Sequence, residues 1–257
     1  MGEFDKGPTV AFSRHFDLVP DPPFKERFWF DWGPIFYRGR TNGTARVLCI
    51  GSDPGPTERI ANRTLVGDAG QRVQGFLAKL GLTRSYLCLN AFAYALFPSQ
   101  AHTAPQVLAD ADQTTWRNRL YDLARSDALE AVIAFGQVAQ EAVALWPGLG
   151  SLPLQRIPHP SSQDEQALLA AWRAAITELR AIVTPDPDGH STGPNYGATF
   201  EESDYEPIPR GDLPSGVPDF LGNDAWRRAS GGRSTVSRPS PDDHHTLIWI
   251  ARPSGVP

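Results

Sequence analysis

Apolar residues fall along this chain in short, unbroken runs, each closed by glycine or a polar residue. Arg46-Val47-Leu48-Cys49-Ile50-Gly51 is the first, followed by a Pro/Gly loop and a helix-period pattern over residues 69–80. Ser85-Tyr86-Leu87-Cys88-Leu89-Asn90 predicts a second strand, and residues 116–125 an amphipathic helix. Ala131-Val132-Ile133-Ala134-Phe135-Gly136 predicts a third strand with a helix over 137–145, and Leu154-Gln155-Arg156-Ile157 a fourth before a helix over 164–182. Continuous apolar runs suit strands covered on both faces, so the alternation predicts a three-layer α/β/α domain with a mainly parallel central sheet of about four strands.

The flanks read differently. Residues 1–23 are mixed and proline-rich, and Phe28-Trp29-Phe30-Asp31-Trp32-Gly33-Pro34 sets dense aromatics before a turn signal, as expected of an arm docked on the core. After Thr184 the chain turns to Pro, Gly, Ser and Asp, which predicts a catalytic domain over 1–183 and an extended or partly disordered C-terminal segment over 184–257. The apolar run Thr246-Leu247-Ile248-Trp249-Ile250 is the one stretch there expected to return to the core, as an edge strand.

Composition narrows the classes. A chain of 257 residues with 40% hydrophobic content can bury a full core, and its net charge of −5 argues against a protein that coats nucleic acid through general phosphate neutralisation. Its two cysteines, Cys49 and Cys88, both sit in buried runs, so they cannot build a disulfide framework or a four-thiolate cluster. No apolar run approaches the roughly 20 residues of a membrane span, and the N-terminus lacks a basic segment followed by an apolar one. The expectation is a cytoplasmic monomer with no cofactor and no metal.

In open α/β sheets, ligands bind where loops leave the carboxyl ends of the strands. Four polar loops follow strands here: Gly51-Ser52-Asp53-Pro54-Gly55, Asn90-Ala91-Phe92, Gly136-Gln137 and Pro158-His159-Pro160-Ser161-Ser162. Singly, each has an ordinary explanation. Asp53 between Gly and Pro reads as a turn or cap residue, Asn90 as a strand-end side chain bonding its own backbone, and His159 as a turn histidine held rigidly by two prolines.

Taken in order, these loops resemble the motifs of the uracil-DNA glycosylase superfamily. Gly51 to Gly55 is similar to its first motif, Gly-x-Asp/Asn/Ala-Pro-Gly/Tyr, and His159-Pro160-Ser161 to its late His-Pro-Ser motif. Thr64-Leu65-Val66-Gly67-Asp68-Ala69-Gly70-Gln71 resembles the Pro-Phe-Val-Gly-x-Ala-Gly segment of the bacterial and archaeal branch, and Leu87-Cys88-Leu89-Asn90-Ala91 the strand whose terminal Asn reads a flipped base. The resemblance runs over about residues 33–182.

What the resemblance implies is a monofunctional DNA glycosylase that flips a pyrimidine out of the stack and hydrolyses its glycosidic bond, with DNA as partner. Asp53 would stabilise an oxocarbenium-like sugar and orient water, and His159 would hydrogen-bond the departing base. Gly51, Ser52, Gly55, Leu65, Asn90 and Phe92 would line the base site. Ser161 and Ser162 would hold phosphates, with Gln163 as the intercalating candidate; Arg63, Arg72 and Arg84 could add phosphate contacts, although scattered arginines read more simply as solvated.

The pattern departs at informative places. Gly55 stands where the narrow uracil enzymes carry a Tyr that blocks pyrimidine C5, and Leu65 stands where an aromatic usually stacks on the base, leaving Phe92 or Phe97 as alternatives. An Asn amide complements uracil in one orientation and cytosine in the other, so two bases stay open: uracil, or a cytosine enlarged at C5 such as a glucosylated hydroxymethylcytosine. These correspond to base excision repair or to defence against modified viral DNA. The branch's iron–sulfur cluster cannot form from two cysteines. A lesion-binding protein without catalysis is the rival on the same fold, and Asp53 separates the two. A nucleotide-binding metabolic enzyme lacks its expected Gly-x-Gly-x-x-Gly or Walker-type lysine loop. Arg227, Arg228, Arg233 and Arg238 read as a solvated linker, and His244-His245 as no metal site.

Overall fold

The computed structural model describes residues 4–218 and 221–223. Helix α1 (Val10–Phe16) precedes the edge strand β1 (Tyr37–Gly39), and β2 (Val47–Gly51) leads through α2 (Pro56–Ala61) and α3 (Asp68–Lys79) to β3 (Tyr86–Asn90). Then come α4 (Ala104–Ala109), α5 (Ala111–Ala124), β4 (Ala131–Phe135), α6 (Gln137–Ala144), β5 (Leu154–Ile157) and α7 (Glu165–Leu179). The sheet order is β1-β3-β2-β4-β5, with β1 antiparallel and the other four strands parallel.

Every residue of β2, β3 and β4 is buried, which is why these strands read as continuous apolar runs. Alternate residues serve two cores. Leu48 and Ile50 face a cluster with α1, α5 and α6, whereas Val47 and Cys49 face one with α3 and α7 around the fully buried Trp172. The three-layer α/β/α arrangement expected from the alternation is the observed one. Helix α5 begins at Ala111, earlier than its apolar pattern, because Asp110 caps it by accepting from the backbone N–H of Gln113.

Strand β1 adds a fifth strand that hydropathy does not announce. It has three residues, and its centre is Arg38, which is fully buried. A buried guanidinium needs partners on every side. Its Nη1 reaches Gln74 Oε1 at 2.7 Å and Asp212 Oδ2 at 3.2 Å, and its Nε donates to the Thr64 carbonyl at 3.1 Å.

Asp212 belongs to the chain beyond Thr184, which through residue 218 lies against the core as a strap. Its acids turn inward: Asp186 Oδ2 accepts from the backbone N–H groups of Thr83, Arg84 and Ser85 at 2.8–3.0 Å, Asp204 pairs with Lys79 at 3.2 Å, and Asp212 also pairs with Arg40 at 3.1 Å. Ile208, Leu213, Val217 and Leu221 form a small cluster with Ala61 and Val66. The described part of the strap has two short 3-10 turns, at Glu202–Asp204 and Arg210–Asp212, and is held by these side-chain anchors together with single backbone bonds such as Asp186 N–H to the Gly81 carbonyl at 2.9 Å and Glu206 N–H to the Gln71 carbonyl at 3.1 Å. The expected return at residues 246–250, and the Arg227 to His245 stretch, lie outside the described residues.

The aromatic arm docks as expected. Trp29 N–H donates to the Ala95 carbonyl at 2.9 Å, Phe97 N–H to the Arg27 carbonyl at 2.9 Å, and Trp29 stacks on Trp32 with centroids 4.3 Å apart. The arm thereby braces the 91–97 loop. Cys49 and Cys88, paired in register across β2 and β3, are both buried free thiols.

Candidate functional site

Because β2, β3, β4 and β5 run parallel, their carboxyl ends share one edge of the sheet, and the polar loops gather there. Gly51 and Asn90 are register partners at that edge. A Cβ on Gly51 would lie 2.6 Å from Asn90 Oδ1 and 3.7 Å from Leu65 Cδ2, so glycine leaves the space that Asn90 and Leu65 border. Asn90 is 5% exposed, and its amide has no hydrogen-bond partner among the described residues. It is suited to reading the hydrogen-bonding edge of a ligand.

Asp53 sits in the loop after β2. Its Oδ2 accepts from Leu96 N–H at 3.0 Å, and the loop is tied to the end of β3 by Ala91 N–H to the Gly51 carbonyl at 2.9 Å and Phe92 N–H to the Ser52 carbonyl at 3.0 Å. Burial pushes the Asp53 carboxyl up to about 6; the Leu96 amide and the Ser52 hydroxyl pull against that rise, and the Glu58 charge adds to it. The group ionises just below neutrality, where a carboxylate is both basic and available.

Glu58 carries no signal in the sequence beyond a glutamate three residues after the cap of a helix. In the structure, its Oε2 accepts from Gly55 N–H at 3.1 Å, and its Oε1 from Val66 and Gly67 N–H at 2.8 and 3.1 Å. One carboxylate thus joins the Asp53 loop to the Leu65 segment. Leu65 adopts a left-handed φ of 52°, and a Cβ on Gly70 would stand 1.9 Å from the Leu65 carbonyl oxygen, so glycine at 70 permits that approach. The side of Gly55 that looked open is bordered by Glu58: a Cβ there would lie 2.7 Å from Oε2.

His159 follows β5. Its Nδ1 accepts from Ser161 N–H at 3.2 Å, which leaves the ring proton on Nε2 as a donor. Burial draws its pKa down to about 4, so the ring is neutral at physiological pH. Gly136, at the end of β4, makes room for it: φ is +82°, and a Cβ would lie 2.9 Å from His159 Cβ. Gly136→Ala is therefore expected to lower stability by about 1–3 kcal/mol, read by urea unfolding, since both the backbone and the contact are strained. An unchanged midpoint would contradict this packing.

The remaining expected residues separate into two groups. Ser161 and Gln163 are exposed and Ser162 half-buried, so the loop after His159 offers a polar surface beside the site. Two others are packed inward. Phe92 is 2% exposed and lies edge-on to Phe28 at 6.5 Å, so its ring is part of the core next to the strand end that carries Asn90. Arg63 is 7% exposed, with Nε 2.8 Å from Asp5 Oδ2 and its guanidinium over Tyr37; this buried ion pair takes the place of the expected phosphate contact. Arg72, read from sequence as solvated, is also engaged, with Tyr205 and the Pro160 carbonyl.

Among the described residues, no group of three or more His, Cys, Asp or Glu is placed to hold a metal ion, and no helix is long and apolar enough to cross a membrane. The site has a carboxylate, a neutral imidazole donor and an unpartnered amide along one sheet edge, a set able to bind a planar polar ligand and to stabilise opposite charges at two ends of a breaking bond. Comparison with curated proteins returns no match for this chain. Residues 38–196 match the family model described as the Uracil DNA glycosylase superfamily.

Proposed function

The chain belongs to the uracil-DNA glycosylase superfamily, whose membership supports a general DNA glycosylase function, and on that premise we propose that it excises a pyrimidine by hydrolysis with Asp53, Asn90 and His159 as its working residues. The observation that carries this reading is the nearly buried Asn90 amide, unpartnered beside Gly51 at the sheet edge that also bears the Asp53 and His159 loops.

A base in a duplex is out of reach, so the nucleotide is flipped and its edge read by Asn90. As the C1′–N1 bond breaks, its electron pair leaves with the base and positive charge builds on the sugar. The Asp53 carboxylate stabilises that charge and accepts a proton from the water that adds to C1′. The His159 Nε2–H donates a hydrogen bond to the leaving base, spreading its negative charge. The products are the free base and an abasic site. Ser161, Ser162 and the exposed Gln163 lie where they can meet the DNA flanking the flipped nucleotide.

The base is uracil, or a cytosine enlarged at C5, in keeping with Leu65 in place of a larger aromatic side chain; these correspond to repair of damaged DNA or to attack on modified viral DNA. Mass spectrometry of the base released from matched uracil-containing and C5-modified oligonucleotides tests the reading. Release of one of these bases is expected. Binding without release of any base would overturn it in favour of a lesion-binding protein.

A further inference from the structure

His159 stands between two prolines, and proline has no backbone N–H. The carbonyls of Pro158 and Pro160 are therefore the backbone handles on either side of the imidazole, and both are held. Trp172 Nε1 donates to the Pro158 carbonyl at 3.3 Å, and Arg72 Nη1 to the Pro160 carbonyl at 2.8 Å. The two donors come from different helices, α7 and α3. They meet on one ring of the strap: Phe200 lies 4.2 Å beneath the Arg72 guanidinium and edge-on to Trp172 at 5.5 Å. The neighbouring Tyr205 completes the support, its hydroxyl accepting from Arg72 Nε at 3.0 Å. Phe200 is itself held at the start of α7, where its N–H donates to Glu165 Oε1 at 3.1 Å.

We infer that Phe200 and Tyr205, which lie beyond the family-matched residues 38–196, are positioning residues that act through Arg72 and Trp172 to hold His159 in place. The inference rests on the reading of His159 as the donor to the leaving base. Neither strap residue bonds His159. Each restrains a side chain that grips a carbonyl next to it, and displacements near 1 Å at a reacting group are enough to cost large factors in rate. Arg72 is accordingly an internal brace. Its remaining contact, Asp68 Oδ2 at 3.4 Å, is a helical i,i+4 pair that leaves the guanidinium lying across the strap.

The test uses the full chain with Phe200→Ala, Tyr205→Phe and Arg72→Met, and Phe200→Tyr as the conservative variant. Steady-state excision is expected to fall about tenfold to a hundredfold in kcat for Phe200→Ala and Arg72→Met, with KM little changed, and to return toward wild type in Phe200→Tyr. Tyr205→Phe keeps the ring and the fold and removes one acceptor, so it is expected to show a smaller loss of the same kind. Nitrogen NMR of the His159 ring at pH 8 supplies a readout independent of turnover: the wild type holds the single Nε2–H tautomer, and Phe200→Ala and Arg72→Met give averaged shifts. Folded variants that keep both the wild-type kcat and the single tautomer would overturn the inference. If the wild type releases no base, the catalytic reading fails, while the tautomer measurement still decides whether the strap holds the imidazole.

Discussion

Asp53→Asn is expected to lower base excision by roughly 10²- to 10⁴-fold while leaving affinity for DNA nearly intact. The substitution keeps the shape and an oxygen able to accept from Leu96 N–H, and removes the charge that the sugar cation and the attacking water require. The same change has a pH signature. With a pKa of about 6, Asp53 gains its working charge as pH rises through 6, so wild-type excision falls on the acid side of that value. Stability moves the other way. The folded carboxyl binds its proton more tightly than the ordinary value of 3.8, so the folded state is favoured at low pH and loses stability between about pH 4 and 6. At about 1.4 kcal/mol per pKa unit, Asn removes a burden of up to about 3 kcal/mol at pH 7 and well under about 1 kcal/mol at pH 4. Single-turnover excision, fluorescence anisotropy with an uncleaved oligonucleotide, and melting at the two pH values check the three parts. Loss of binding with unchanged turnover would reverse the assignment of Asp53.

His159→Ala is expected to reduce excision about 10²- to 10³-fold by removing the donor to the leaving base. Its thermodynamic signature is opposite to that of Asp53. The folded imidazole has a pKa of about 4 against 6.5 in the open chain, so the unfolded state takes up a proton first and stability is lost as pH falls from 6.5 toward 4. In the wild type these two groups tilt stability against each other between pH 4 and 6. His159→Ala should therefore make the protein less sensitive to acid in that window, and Asp53→Asn more so. Chemical unfolding at pH 4.5 and 7 distinguishes them; identical pH dependence in all three proteins would mean that neither group is buried as described.

The loops that carry this chemistry were legible because those of Asp53 and Asn90 each end a continuous apolar run and that of His159 is framed by two prolines. Asp53, Asn90 and His159 interrupt buried strands or a proline pair with polar groups, and a parallel sheet brings such interruptions to one edge whatever its strand order. Glu58 was not legible. A glutamate in the first turn of a helix is ordinary, and its role exists only because the 65–67 segment folds back to present Val66 and Gly67 N–H to it. Arg63 shows the same in reverse: an arginine near a motif looks available until Asp5 is seen against it.

By itself, then, the sequence determined the layers and the reactive edge, since the period of apolar residues dictates which elements form and the Gly, Pro and polar residues that close each run dictate where they stop. Only the tertiary structure decided what surrounds each group. The proton affinities of Asp53 and His159 follow from their burial, the spaces left by Gly51 and Gly136 matter because of the side chains opposite them, and the strap earns its place through Asp212, Phe200 and Tyr205 meeting partners more than 100 residues away in sequence. Such contacts depend on distance in space, and spacing along the chain does not encode them.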